Sequence, residues 1–571
     1  MNSLWTKEGK ELVSQSHNTF WNAYPRPQMM RGEWQNLNGE WTVRKSGTKV
    51  SEDEVSQNSA AAVSVRVPYP LESLLSGYDR PVEYGAEYCF SRTFTISETW
   101  QGKRVLLHFG AVSRLAEVYV NGEMVGTHDN SYLAFTIDIT KALTEGENRL
   151  EVRVVNDISH KHPWGKQKID RGGMWYTPVT GIWQSAWLEA VPETYIEALV
   201  IKTGSDFAEI MVKKSGSLAG KCVPSAVMEG KKYEAEHGVI RIPIENPRLW
   251  SPEDPHLYRF SVIMGDDRVE SYFALRTLSI ETVNGIKRLC LNGKPYFFNG
   301  LLDQGYWSDG LYTPATPEAF EKDILAMKSL GFNTLRKHIK IEPEQFYYDC
   351  DRLGMVVFQD MVNCGDYSFL RDTGLPTIGL RLDDRNLHRD TETRQNFVKA
   401  MEGTVRQLSN HPCVCYWTIF NEGWGQFCAD AMYESLKKLD DSRFIDSTSG
   451  WFHQKRSDVD SLHIYFKKLK LGKEDKPQML SEFGGYAYKI KEHSFNTEKT
   501  YGYALYDDRE KFVAAVRSLY KDQLLPLVKK GLCGAIYTQV SDVEDETNGF
   551  FTYDRAMLKV KPEELRDLLK G

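Results

Sequence analysis

"FNTLRKHIKIEPEQFYYDCDRLGMVVFQDM", residues 332–361, runs from one apolar segment through an amphipathic stretch to a second apolar segment. FNTLRKH has the composition of a short strand. EPEQFYYDCDRLG has helical spacing and ends on a glycine, as helices often do. MVVFQDM is a short apolar run that fits a strand buried on both faces. Strand, helix and strand in that order make one unit of a parallel sheet. The alternation extends in both directions. KPYFFNG precedes PEAFEKDILAMKSLG on one side. On the other come TETRQNFVKAMEGTVRQLSN, VCYWTIFNE before CADAMYESLKKLD, then RFIDSTS, DSLHIYF, PQMLSEFGG and DREKFVAAVRSLYKDQLLPLVKKG before CGAIYTQVSD. PEELRDLLK closes the chain. Strand candidates fall at 295–300, 332–338, 355–361, 414–421, 443–448, 460–466, 477–482 and 533–540. Eight such units predict a C-terminal (β/α)8 TIM barrel over residues 278–571. A doubly wound sheet is the runner-up, but no glycine-rich phosphate loop follows any strand.

Upstream of the barrel the pattern changes to strands alone. RVLLHFGAV, LAEVYVNGEMVGTH and NRLEVRVVN carry no helical period, and Asn121-Gly122 is a strong hairpin signal. Residues 1–190 are therefore expected to form a jelly-roll-like β-sandwich that could bind sugar. Residues 191–277, with proline-marked turns in GVIRIPIENPRLWSPEDPHLYRFSVIM, fit a small immunoglobulin-like sandwich. Three cores suit a chain of 571 residues better than one.

Composition narrows the partners. The net charge of −7 includes no dominant basic block, which argues against nucleic acid. The N-terminal MNSLWTKEGKELVSQSHNTFW has no apolar signal-peptide core, and no run of about 18 apolar residues suggests a membrane span. Nine scattered cysteines without a CxxC pair fit a reduced, cytoplasmic protein. His160 and His162 have ligand-like spacing without an acidic or cysteine partner, so HKHPWGK reads as a polar loop. No metal or cofactor is expected. The 14 Trp and 29 Tyr suit carbohydrate, though β-domain cores use them as well.

Barrel active sites lie at the C-terminal ends of the strands. Asn421 and Glu422 end the fourth strand candidate in WTIFNEGWGQ, and Ser481 and Glu482 end the seventh in MLSEFGG. Each acid could be a salt-bridged or capping residue. Two glutamates facing one cavity could instead cleave a glycosidic bond, one as acid/base and the other as nucleophile.

These two motifs resemble the acid/base and nucleophile motifs of glycoside hydrolase family 2, which includes β-galactosidases and β-glucuronidases. NLNGEWTV, GIWQSAWLEAV and LWSPEDPHLY resemble its two β-domains, and NGKPYFFNG and GFNTLRKH its barrel entry. The resemblance implies a retaining exo-β-glycosidase with Glu422 as acid/base and Glu482 as nucleophile. It implies Arg336 beside the nucleophile, Asn421 on the sugar 2-hydroxyl and His338 on the sugar. Tyr465 could donate to the nucleophile or the sugar, or serve as a wall aromatic. A protonated Glu422 calls for an apolar surround, and Trp417, Phe420 and Trp424 flank it in sequence.

The chain departs from the family's glucuronidases in ways that bear on the sugar. Their Asn-x-Lys pair after the last strand has no counterpart, because Phe550 stands two places after Asn548. Trp175 or Tyr176 could stack on a sugar face, and Tyr537 stands where a tryptophan platform is common. Lys337 and Lys340 could hold a substrate carboxylate, or Lys337 could point outward and Lys340 be a loop charge. Asp303 and Trp451 complete the candidate substrate-binding set. The departures point to a β-galacturonidase-like branch and a galacto-configured substrate, β-D-galacturonide or β-D-galactoside. β-Glucuronidase or another family 2 exo-glycosidase is the alternative, and a non-catalytic carbohydrate-binding protein is the competing class. A homo-oligomer is compatible with the chain.

Overall fold

The structure is a computed structural model that describes residues 4–14, 21–46, 62–378, 380 and 383–569. Two antiparallel sheets come first. A six-stranded sheet holds Glu87–Thr95 and Glu147–Val155 at its centre, and a four-stranded sheet holds Arg104–Phe109 and Ala186–Val191. Alternate residues of Glu147–Val155 turn inward, so Leu150, Val152 and Val154 pack with Trp41, Phe90 and Leu107 in one apolar layer. Asn121 and Gly122 have φ of 52° and 85° and join Leu115–Val120 to Glu123–Asp129. Positive φ at both positions is what a tight two-residue hairpin turn needs. Seven antiparallel strands between Tyr195 and Phe273 enclose a second core, with Ile210, Ile240, Phe260 and Val262 at its centre. A hairpin, Leu278–Val283 with Ile286–Leu291, leads into the barrel.

The barrel strands are β1 (Phe298–Asp303), β2 (Thr334–Lys337), β3 (Val356–Asp360), β4 (Val414–Asn421), β5 (Phe444–Ser449), β6 (Asp460–Ile464), β7 (Gln478–Phe483) and β8 (Leu532–Tyr537). Neighbours in chain order pair in parallel from β1 to β5 and from β6 to β8, with β8 beside β1, while β5 and β6 share no ladder among the described residues. β1 starts three residues later than 295–300 suggests. Lys294 and Pro295 belong instead to the preceding hairpin, where Pro295 pairs with Cys290.

The helical layer is thinner than eight full units imply. Among the described residues no helix stands between β5 and β6 or between β6 and β7. The second of these connections, FKKLKLGKEDKP, has no apolar stripe to lay on the barrel. Aromatic rings fill the lower barrel. Phe298 lies 5.4 Å from Phe358 and 6.2 Å from Phe444, and Phe358 stacks on Tyr416 at 4.2 Å. Side chains two residues apart share a strand face. Asp360 therefore follows Phe358 up the same wall and begins a polar layer above the plug.

Candidate active site

The polar layer is organised by Arg336 at the end of β2. This guanidinium is 1% exposed and spends its donors on four partners. Nε donates to Asp360 Oδ1 (2.9 Å), Nη1 to Ser481 O (2.9 Å) and Glu482 Oε1 (3.0 Å), and Nη2 to Asn421 Oδ1 (2.9 Å). One arginine thus fixes β3, β4 and β7 to β2. Its fork is suited to holding carboxylates in a set geometry. With Oδ1 of Asn421 occupied by a donor, its Nδ2 is left for the cavity.

Glu482 lies within β7 and is 4% exposed. Burial opposes its charge, but His463 and the Arg336 guanidinium, with the hydrogen bond from the Tyr465 hydroxyl, bring its pKa below the ordinary carboxylate value. Tyr465 Oη donates to Glu482 Oε2, lies 3.1 Å from Thr538 Oγ1, and its ring stacks on Tyr503 at 3.7 Å. The result is an anion held by donors on two sides, as a nucleophile requires.

Glu422 follows β4 directly and adopts φ of 51°, a left-handed conformation uncommon for a non-glycine residue. Its amide donates to Ser449 O of β5 (2.8 Å), which holds the turn. Gly423 and Gly425 continue that turn with positive φ, and a Cβ at Gly425 would meet Cys364 O at 1.8 Å. Strain of this kind is kept where the surroundings over-determine it and often accompanies function. The turn aims the carboxylate at His463, whose Nδ1 lies 2.7 Å from Glu422 Oε1. His463 Nε2 is 2.8 Å from Ser449 Oγ and 3.5 Å from Arg336 Nη1. A guanidinium can only donate, so Nε2 is the accepting nitrogen and Nδ1 carries the proton toward Glu422.

One oxygen of Glu422, one of Glu482 and a His463 nitrogen all lie within 4.8 Å of one another. Carboxyl groups about 5–5.5 Å apart suit double displacement, whereas inverting pairs stand about 6.5–9.5 Å apart to admit a water. Among the described residues this is also the one trio of metal-ligand types so close. An ion bound there would occupy the oxygens that Arg336, Tyr465 and His463 already hold.

His338 faces the same cavity. Its Nδ1 lies 2.7 Å from Asp360 Oδ2, and burial lowers its pKa. A neutral imidazole donating through Nδ1 offers Nε2 as an acceptor for a hydroxyl. Met174, Leu302, Trp424, Tyr503, Thr538, Lys166 and Glu546 complete the cavity wall.

Several expected contacts lie elsewhere. Lys337 alternates away from Arg336 and His338. It bonds Asp303 Oδ2 (2.6 Å) and Glu342 Oε1 (2.8 Å) behind the strand wall. Lys340 is buried, with its pKa pushed down by burial to about 8, and donates to Gly305 O, Tyr312 O and Glu342. Neither lysine can hold a substrate carboxylate, and Asp303 is consumed by Lys337. Lys340 is not a free loop charge either.

Tyr537 is fully buried, stacked on Phe550 at 4.9 Å, and offers no platform to a sugar. Trp175 stands behind the wall, 5.3 Å from both Trp164 and Trp424 and 5.0 Å from Tyr367, so it supports Trp424. Tyr176 is buried with its hydroxyl on Glu546. Trp451 sits at the rim, edge-on to His463 at 5.4 Å.

The apolar surround expected for Glu422 is likewise reduced to Trp424. Trp417 Nε1 is turned to Asp440 (2.9 Å), and Phe420 stacks on Phe397 of the helix Thr391–Leu408. His463, Lys166, Tyr503 and Thr538 were not anticipated, whereas the acidic segment Asp542, Glu544, Asp545 and Glu546 reads in the sequence as a solvated loop or a contact to sugar hydroxyls, and of these Glu546 lines the cavity. His463 was open to detection, because it lies near the end of β6, two residues before Tyr465, which directly follows the strand. Lys166 comes from the first β-domain, where barrel periodicity gives no signal.

Barrel, carboxylate pair and buried arginine together have the layout used for glycoside hydrolysis. The chain belongs to glycosyl hydrolases family 2. The family's sugar binding domain matches residues 34–192, a second family 2 model matches 205–276, and its TIM barrel domain matches 282–494. A β-galactosidase of Enterobacter cloacae is 25% identical over 74% of this chain and 44% of its own length. The chain spans about half the length of the curated relatives it matches. Among solved structures, a β-glucuronidase from an uncultured Clostridium superposes with a TM-score of 0.74 at 18% identity, covering 96% of this chain and 100% of that one. A family 2 β-galacturonidase from Eisenbergiella tayi bound to galacturonate gives 0.71 at 19%, covering 97% and 99%. At that identity the likeness is one of fold. No helix among the described residues is long and apolar enough to cross a membrane.

Proposed function

We propose that the protein is a retaining exo-β-glycosidase that releases a terminal β-linked, galacto-configured sugar, β-D-galacturonide or β-D-galactoside. The observation that carries the reaction class is the approach of Glu422 and Glu482 to within 4.8 Å. Glu482 attacks the anomeric carbon while Glu422 protonates the departing oxygen. The glycosyl ester on Glu482 is then hydrolysed by a water that Glu422 deprotonates. In this reading Asn421 Nδ2 donates to the sugar and His338 Nε2 accepts from it, supported by the Asn421 Oδ1 and His338 Nδ1 bonds to Arg336 and Asp360.

For the sugar, the support is the segment after β8. Phe550 is buried against Tyr537, and nearby Lys559 is spent on Asp542 Oδ1 (2.6 Å) and Thr547 O (3.0 Å). That segment therefore sends no lysine into the cavity and presents Glu546 instead, unlike the pattern of the family's glucuronidases. The test compares aryl β-D-galacturonide, galactoside, glucuronide and glucoside, using wild type and Glu482→Gln. Turnover of a galacto-configured substrate that the substitution abolishes supports the reading. Preference for the glucuronide transfers it to β-glucuronidase, and undiminished turnover by Glu482→Gln removes the catalytic assignment.

A further inference from the structure

The loop between Glu147–Val155 and Gly181–Ile182 leaves the first β-domain and packs into the barrel mouth. Three anchors hold it. Trp164 Nε1 donates to Gly365 O (3.0 Å), Thr177 N donates to Glu544 Oε1 (3.0 Å), and the Tyr176 hydroxyl donates to Glu546. Lys166 sits on this loop with its carbonyl accepting from Tyr176 N (3.0 Å). The residue is 7% exposed and lines the same cavity as Glu422 and Glu482. Its Nζ lies 5.5 Å from the Tyr176 ring centre and 5.8 Å from that of Trp424. Among the described residues Lys166 Nζ makes no hydrogen bond or ion pair.

The contrast with the other charges of the site is informative. Arg336 is matched by Asp360 and Glu482, and Lys337 and Lys340 by Asp303 and Glu342. Glu546, the acid that shares the cavity wall with Lys166, already accepts from Tyr176 Oη and from Asn548 Nδ2 (3.1 Å). A cation nearly out of water calls for an anion or strong acceptors. The cavity offers Lys166 none close by, while the aromatic faces beside it keep its stem in place. A carboxylate carried by the substrate would supply the missing partner through a charge-assisted hydrogen bond.

We propose that Lys166, contributed by the N-terminal β-domain, binds the substrate's carboxylate and so selects a uronide, β-D-galacturonide of the two sugars named above. This rests on the exo-β-glycosidase reading.

The experiment measures kcat/KM of wild type, Lys166→Met and Lys166→Arg on matched aryl β-D-galacturonide and β-D-galactoside. Methionine keeps the stem and removes the charge. The expected result is a galacturonide-to-galactoside ratio that falls about tenfold or more in Lys166→Met and is largely retained in Lys166→Arg. Thermal-shift titration of the full chain with free galacturonate and with galactose gives a readout independent of turnover. The uronate's stabilisation should vanish in Lys166→Met. The proposal is overturned if both activities fall in parallel, if the wild type prefers the galactoside, or if galacturonate stabilises Lys166→Met as well as wild type. Glu482→Gln in the same assay separates the two claims. If Glu482→Gln is inactive while the ratio does not move, the Lys166 assignment fails and the glycosidase reading stands. If Glu482→Gln is fully active, the glycosidase reading fails.

Discussion

Replacing Tyr465 by Phe removes one hydroxyl from the site and leaves the ring stacked on Tyr503. The lost contact is the phenol's hydrogen bond to Glu482 Oε2, a bond to an ionised acceptor. Bonds of that kind are worth about 1.5–3 kcal/mol. With about 1.4 kcal/mol per pKa unit, the loss corresponds to a rise of about one to two units. The sign follows from which form the donor favours. The phenol stabilises the carboxylate, and Glu482 is held below its ordinary value, so removing the donor raises its pKa.

Glu482 must be ionised to attack, and the acid limb of a kcat/KM profile reports essential groups of the free enzyme. The limb for an aryl β-glycoside should therefore move to higher pH by about one to two units in Tyr465→Phe. Linkage gives a second readout with the same sign. A carboxylate depressed on folding contributes stability above its unfolded value of about 4.3, and that contribution is lost as pH falls through the folded value. Acid unfolding of the variant should begin at higher pH than in wild type. An acid limb that stays where the wild type has it would refute the claim that the Tyr465 hydroxyl helps hold the nucleophile ionised.

Three further outcomes are expected. Glu422→Ala should slow hydrolysis of glycosides with poor leaving groups by about 10²–10⁴-fold. A dinitrophenyl glycoside, whose leaving group needs no proton, should still form the intermediate, and azide should speed release as a glycosyl azide detectable by chromatography. Lys337→Met leaves Asp303 and Glu342 partly unpaired and should cost about 3–5 kcal/mol of stability in a denaturant melt. Its KM should be near that of wild type, since the lysine lies outside the cavity. Trp175→Ala should cost about 3–5 kcal/mol from the buried cluster and raise KM, because Trp424 loses the ring that it packs against.

The parts legible in the sequence were those governed by short-range pattern. Alternating apolar runs and helices located the barrel strands, and Glu422 and Glu482 stood out as acids closing apolar strands. Arg336 lies on β2 and His338 two residues on, directly after the strand, so once one faced the cavity the extended backbone brought the other to the same side. The same alternation turned Lys337 outward. Lys340 was harder, because its partners Gly305 and Tyr312 are remote in sequence and only the folded interface brings them to it. Tyr537 and Trp175 were misplaced for a related reason. An aromatic residue near a strand end can face the cavity or the layer behind it, and composition does not distinguish the two. Lys166 and Glu546 enter the cavity on loops from the first β-domain and from beyond β8, joined by Tyr176. Their meeting depends on how domains pack, which no local period encodes.

The central claim is that Glu482 forms a covalent bond to the sugar. The direct measurement is incubation with a 2-deoxy-2-fluoro-β-galactosyl or β-galacturonyl donor bearing a dinitrophenyl leaving group, followed by peptide mass spectrometry. The fluorine slows both steps and the good leaving group restores the first, so the ester accumulates. The account predicts one added fluoroglycosyl mass on the peptide containing MLSEFGG, placed at Glu482 by fragmentation and absent from Glu482→Gln. Label on a different residue, or turnover of the parent glycoside with no labelled peptide from either donor, would contradict it.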